Sequence, residues 1–159
     1  MAGFSTTPEE AQDLPQVTIY TDGACDPNPG PGGWAALLRS GTNEKVLTGS
    51  APDTTNNRME LTAAIEAFKA LKRPCRVDIF TDSEYLKRGI NEWLPGWRAR
   101  GWRRKHGALA NQELWQELDR SLKTHQVKWH WVRGHTGQPQ NEQVDKLARQ
   151  AAQRAGKEA

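Results

Sequence analysis

The chain has 159 residues, 36% hydrophobic and 26% charged, with a formal net charge of +3. That balance fits one folded domain with a continuous core, and it excludes a disordered polymer or a chain embedded in a membrane. The longest clean apolar run, Trp34 to Leu38, is far too short to cross a bilayer.

Residues 1–15 are polar, carry Glu9, Glu10 and Asp13, and lack a basic start followed by an apolar core. They are expected to form a disordered tail rather than a secretory leader. Gln16 to Thr21 alternates Val17 and Ile19 with Thr18 and Tyr20, which predicts a strand ending at Asp22. Asp26 to Gly33 is rich in Pro and Gly and reads as a rigid loop. Trp34 to Arg39 and Lys45 to Gly49, joined through Gly41-Thr-Asn43, predict a hairpin that continues the sheet.

From Asn56 to Lys72 the residues Leu61, Ile65 and Phe68 recur at helical spacing, with Pro74 just beyond. Arg76 to Thr81 predicts a second buried strand, ending at Asp82. Short helices are expected over Ser83 to Gly89 and Asn91 to Arg98, followed by a basic loop containing Gly101. Leu114, Leu118 and Leu122 predict an amphipathic helix over Asn111 to Lys123. Gln126 to Val132 reads as a further parallel strand and Gly134 to Gln140 as a flexible loop. Val144, Leu147, Ala148 and Ala151 mark one side of a last helix over Asn141 to Arg154. A hairpin followed by alternating helices and strands argues an α/β fold with a mixed five-stranded sheet flanked by helices. The expected division is one domain over residues 16–155, with a short tail at 156–159.

Cys25 and Cys75 lie far apart and in no metal-ligand spacing, so neither a disulfide framework nor a zinc site is indicated, and a reducing cytoplasm is the default. The charge is unevenly placed. Between Leu86 and His106 stand Lys87, Arg88, Arg98, Arg100, Arg103, Arg104 and Lys105 against the single acid Glu92. The remainder is therefore net acidic, and one basic patch on such a body suggests a polyanionic partner gripped at one place.

Two predicted strand ends echo each other, Ile19-Tyr-Thr-Asp22 and Ile79-Phe-Thr-Asp82. If the strands are parallel neighbours, both carboxylates emerge at the carboxyl edge of the sheet, where open α/β sheets place their ligands. The plainer alternative is that each Asp caps a turn or a helix. Glu60 shares a helix face with Ala63, Ala64, Ala67 and Leu71, and a carboxylate on such a face is costly unless compensated. It could instead lie at the edge, in water or paired with Arg58. Asp145, in the first turns of the last helix, would by itself be a solvated acid favoured by the helix dipole. Four converging carboxylates repel one another, and hard divalent cations remove that repulsion. Oxygen-only ligation favours magnesium or manganese over zinc.

Four segments, Tyr20-Thr-Asp-Gly-Ala-Cys-Asp-Pro-Asn-Pro-Gly-Pro-Gly-Gly-Trp34, Thr54-Thr-Asn-Asn-Arg-Met-Glu-Leu61, Thr81-Asp-Ser83 and Gly134-His135 with Asn141-Glu142 and Asp145, together resemble bacterial ribonuclease HI. The resemblance runs from about Gln16 to Ala152. It implies a ribonuclease H-like fold and an endonuclease that cuts the RNA strand of RNA–DNA hybrids with two Mg²⁺ ions, leaving 5′-phosphate and 3′-hydroxyl ends. Mn²⁺ is a possible substitute.

It further implies that Asp22, Glu60, Asp82 and Asp145 bind metal, with Asp22 bridging both ions, and that His135 assists proton transfer or product departure. Asn28, Thr55, Asn56, Asn57 and Arg58 would touch the hybrid, partly through the 2′-hydroxyls that distinguish RNA from DNA. Asn56 and Asn57 could also serve as helix caps. Glu84 stands where the family pattern leads one to expect glutamine.

Trp93, Trp97, Arg98, Arg100, Trp102, Arg103 and Arg104 resemble the family's basic protrusion, the tryptophans building it and the arginines meeting DNA phosphates. No membrane contact and no obligate protein partner is expected, and the chain reads as a monomer. Rival readings are another two-metal nuclease on the same sheet, resolvase-like in substrate, and a non-catalytic hybrid-binding module. The intact set of acids opposes the second, since a pure binder has no use for clustered carboxylates facing phosphates.

Overall fold

A computed structural model of the chain describes residues 14–103, 110–133 and 138–158. Strands β1 (Gln16–Cys25), β2 (Gly30–Ser40) and β3 (Asn43–Thr54) form an antiparallel meander, and β4 (Arg76–Thr81) and β5 (Gln126–Trp131) extend the sheet in parallel from the β1 side. The order is β3-β2-β1-β4-β5, the mixed five-stranded sheet expected from the sequence.

Strand β1 runs past the end predicted at Asp22, and the register gives the reason. Its parallel pairing with β4 stops at Tyr20 opposite Phe80, while its antiparallel pairing with β2 continues through Asp22 opposite Ala35 to Cys25 opposite Gly32. Asp22 therefore sits where β1 and β4 part company, still held straight by β2.

Alternation along the strands sends Val17, Ile19, Val77 and Ile79 to one face, where they meet Leu61, Ala64, Ile65 and Phe68 of helix α1 (Asn56–Lys69). Thr55 caps that helix, its hydroxyl accepting from the Arg58 amide at 3.2 Å. It stops at Lys69, short of the expected Lys72, with the Ala70 amide closing the last turn. On the opposite face Ala35 and Leu37 pack against Val144 and Ala148 of helix α5 (Pro139–Glu158). This helix begins earlier and ends later than Asn141 to Arg154, and a proline in its first position is compatible with a helix start.

The two short helices expected after Asp82 are one winding run: α2 (Glu84–Arg88), a π-helical turn over Gly89–Trp93, and α3 (Leu94–Ala99). At Gly89 the backbone lies directly on the indole of Trp115, leaving no room for a side chain. Trp115 belongs to helix α4 (Gln112–Thr124) and is wholly buried. The leucine spacing predicted this helix but misplaced the centre of its buried face. Leu118 is buried, Leu114 and Leu122 only partly so, and the deepest side chains are Trp115 and Leu118 with Asp119 beside them. Trp115 is drawn in by Trp97 and Tyr85, whose rings lie 5.4 Å and 5.5 Å from its own.

Candidate metal centre

Asp22 leaves β1 just beyond its last pairing with β4, and Asp82 follows the final residue of β4. The matched strand ends thus deliver two carboxylates to the carboxyl edge of the sheet. Glu60 comes from α1, which crosses so close to Gly23 that a Cβ there would lie 2.6 Å from the Glu60 amide nitrogen. Glycine after Asp22 is therefore what lets the helix lay Glu60 beside it. Ligand oxygens of Asp22, Glu60 and Asp82 all lie within 4.8 Å of one another. Asp22 and Glu60 are buried and Asp82 is exposed.

Asp145 joins them from α5. Its carboxyl shares a hydrogen bond with that of Asp22, and its Oδ2 accepts from Arg149 one turn on at 2.9 Å. Together with Gly23, Asn56, Asn57, Ser83, Glu84 and Tyr85, the four acids line an open cleft of about 400 Å³.

Burial pushes the Asp22 carboxyl up to about 8, helped by the negative charges of Asp82 and Asp145 and opposed by the hydrogen bond its Oδ1 accepts from the Gly23 amide at 2.9 Å. Glu60 is raised well above the usual carboxylate range, first by burial and then by Asp22 and Asp82. Its Oε2 is buried and meets no hydrogen-bond partner among the described residues. A buried carboxylate oxygen left bare among other acids is unfavourable unless a cation fills the space. The donor set is all oxygen, which fits hard divalent ions.

These displacements fix the pH response of the metal-free protein. Both groups hold their protons to higher pH in the fold than in the unfolded chain, so the stability they contribute is complete below the ordinary carboxyl range. It is lost as pH rises through the folded value, between about 4 and about 8 for Asp22. Denaturant titrations in a chelator should therefore show stability falling with pH across that window, and Asp22→Asn should flatten the fall. A flat profile for the unmutated protein would overturn this account of the cluster.

The other predicted contacts are distributed unevenly. Asn56 and Asn57 line the cleft at the start of α1. Asn28 braces that start, its Oδ1 accepting from the Asn56 amide at 3.2 Å, and Thr55 is engaged as the cap. The Arg58 guanidinium reaches away to α4, donating to Glu113 at 2.7 Å and to the Asn111 side chain at 3.1 Å.

Trp93, Trp97 and Trp102 pack in series, with ring centroids 6.0 Å and 5.8 Å apart. Arg98 donates through Nε at 2.7 Å, and also through Nη2, to the buried carboxylate of Asp119. Arg100 and Arg103 are exposed. His135 and Arg104 lie outside the described residues.

Sequence reasoning passed over Tyr85 and Asn111. Tyr85 lines the cleft, and its hydroxyl accepts from Asn111 Nδ2 at 3.0 Å and from Trp115 Nε1 at 2.9 Å. No periodicity could have found the pair, because their link spans separate elements.

Comparison with known proteins points the same way. The RNase H family model matches residues 15–153. A ribonuclease H of Bradyrhizobium diazoefficiens is 59% identical over 138 residues, covering 86% of this chain and 90% of that protein. Another, from Cupriavidus necator, is 55% identical over 145 residues, covering 91% of this chain and all of that one. Among solved structures, LC9-RNase H1, described as a type 1 RNase H with the type 2 active-site motif, superposes with a TM-score of 0.81 at 38% identity. That match covers 89% of this chain and 74% of the other. With matched strand ends, a clustered set of acids and relatives that agree over most of its length, the chain belongs to the ribonuclease H family.

Proposed function

We propose that the protein is an endonuclease that hydrolyses the RNA strand of RNA–DNA hybrids, leaving 5′-phosphate and 3′-hydroxyl ends. The observation that carries this reading is the convergence of Asp22, Glu60 and Asp82 within 4.8 Å, joined by Asp145. These acids would hold two Mg²⁺ ions, with Mn²⁺ as a substitute. Bound there, such ions activate a water and stabilise the leaving oxygen.

The protein's own part is placement. Gly23 and the cap of α1 fix Glu60 against Asp22, and the sheet edge fixes Asp82. Asn56 and Asn57 present amide groups at the cleft wall, suited to 2′-hydroxyls. His135 would pass a proton near the reacting phosphate. All the acids come from one chain, which supports action as a monomer, and Cys25 and Cys75, both free thiols, suit a cytoplasmic setting. The catalytic unit is residues 16–155.

The deciding experiment presents one labelled RNA as single strand, as RNA duplex and as RNA–DNA hybrid, with and without Mg²⁺. Mg²⁺-dependent cleavage of the hybrid alone is expected. Cleavage of branched DNA instead would favour a resolvase-like nuclease, and binding without cleavage would favour a hybrid-binding module.

The basic stretch supplies a second test. Arg98 is set aside, because its loss would leave the buried Asp119 with only the exposed Lys123, 3.4 Å away. Neutralising Arg100, Arg103 and Arg104 together should weaken binding to all hybrids about equally, since phosphate contacts carry no sequence information. Each lost contact should flatten the plot of log affinity against log salt by roughly 0.7–0.9. An unchanged slope would show that the grip lies elsewhere.

A further inference from the structure

At the end of the sheet remote from the metal acids, the starts of β4 and β5 present a second set of charged side chains. Val77 and Ile79 enter the core, so Arg76 and Asp78 project from the opposite face, and the parallel register sets Gln126 beside Arg76 and Lys128 beside Asp78. Gln16 of β1 flanks Arg76 on its other side. Helix α5 packs on this same face, over Ala35 and Leu37 of β2. Gln16, Arg76, Asp78, Gln126 and Lys128 line a cavity of about 240 Å³. The six residues of β4 separate it from Asp82, roughly 20 Å at the usual rise, and none of the four metal-site acids reaches it.

The positive charges of this cavity are not neutralised by ion pairs. Arg76 Nε is buried without a hydrogen-bond partner, and among the described residues neither the Arg76 guanidinium nor the Lys128 ammonium makes a salt bridge. A buried N–H without an acceptor is costly, and more so on a charged group. The one carboxylate in the wall is already engaged. Asp78 Oδ1 lies 2.7 Å from His130 Nε2 and its Oδ2 accepts from Gln16 Nε2 at 2.6 Å, contacts that hold the carboxyl below its usual range, with a weaker attraction from Lys128. Two cations and one engaged acid leave the wall net positive, with a buried donor facing no acceptor.

We propose that this cavity binds a phosphate group, with the Arg76 guanidinium as its main donor and Lys128 and the Gln126 amide completing the wall. The donors come from two neighbouring strands and from successive rows of the sheet. That spread suits the oxygens of a tetrahedral anion better than the two coplanar oxygens of a carboxylate. A phosphate monoester carries about −1.5 to −2 charges at neutral pH, enough to engage both cations. The inference does not depend on the hybrid-cleaving reading and uses none of the residues that line the cleft.

The test is an NMR titration of the metal-free protein in a chelator with inorganic phosphate, ionic strength being held constant with chloride. The Arg76 Nε–H resonance should move and saturate. A shift that does not saturate, or that is no larger than the shift at the exposed Arg100, overturns the proposal. A nucleoside 5′-monophosphate titrated in parallel distinguishes the source of the phosphate: tighter binding than inorganic phosphate assigns a nucleotide-borne group, and equal or weaker binding assigns the free ion.

Arg76→Met keeps the apolar stem and removes the buried N–H, so in phosphate-free buffer the variant should be as stable as the parent or more so. Its phosphate affinity should fall about 10-fold or more, the worth of a charge-assisted hydrogen bond. Lys128 is exposed, so Lys128→Gln leaves the fold intact, and it should weaken phosphate about 3-fold. Asp78→Asn should act in the opposite direction, tightening phosphate by removing a like charge from the wall. In thermal melts phosphate should raise the Tm of the parent above its chloride control and leave Arg76→Met unmoved. Equal gains in the two proteins, or unchanged phosphate affinity in both Arg76→Met and Lys128→Gln, would show that the cavity is not an anion site.

Discussion

Asp22→Asn should abolish hybrid cleavage while leaving a folded protein. Asn has nearly the shape of Asp, so the packing beneath α1 survives and the Gly23 amide keeps an oxygen to donate to. What disappears is a carboxyl able to give up its proton and take a negative charge, in a buried cluster where Asp22 and Glu60 hold their protons unusually tightly. In a chelator the variant should be as stable as the parent or more so, because the repulsion is relieved.

Added Mg²⁺ should then separate the two proteins. A cation that binds only the folded state stabilises it by about 2.7 kcal/mol at a hundred times its dissociation constant. The parent should therefore gain Tm on titration and Asp22→Asn should gain little. Asp82→Asn should behave likewise, with a smaller change in metal-free stability because Asp82 is exposed. Strong Mg²⁺-dependent cleavage by pure Asp22→Asn would end the assignment of these acids as metal ligands.

Replacing His135 with alanine should slow turnover at saturating substrate by about 10²- to 10⁴-fold, the usual worth of general acid–base help. The residue stands on a Gly-flanked stretch between β5 and α5, and α5 carries Asp145. Imidazole titrates near neutrality, which suits a group that takes up and releases a proton within one cycle. Metal affinity measured without substrate should be unchanged, and so should the salt dependence of hybrid binding. Loss of Mg²⁺ binding in His135→Ala would make the residue a ligand instead. The two variants thus fail differently, Asp22→Asn in metal binding and chemistry together, His135→Ala in chemistry alone.

Several features were legible in the sequence because they depend on local periodicity. The alternation in Gln16 to Thr21 and Arg76 to Thr81 defined two strands, and their matching Thr-Asp endings placed Asp22 and Asp82 at one edge once the strands proved parallel neighbours. The angular position of Glu60 marked it as a buried acid, and it is buried beside Asp22.

Other features depend on which elements meet, and no window of sequence contains that information. The extension of β1 past Asp22 comes from its pairing with β2, while the alternation over Gln16 to Thr21 suggested an end at Asp22. Helix α4 was found by its leucines, yet its deepest side chain is Trp115, pulled inward by Trp97, Tyr85 and the bare backbone at Gly89. Arg98 counted as a free positive charge until folding set it against Asp119. Arg58 lay beside the cleft-lining asparagines in sequence, but its guanidinium crosses to Glu113 and Asn111. Sequence by itself determined the strands, the helices and the residues able to hold a divalent ion, since hydrophobic period and side-chain chemistry are carried locally. Only the tertiary structure decided which charges are spent on one another and which face the cleft, because a hydrogen bond between distant elements exists only after they have packed.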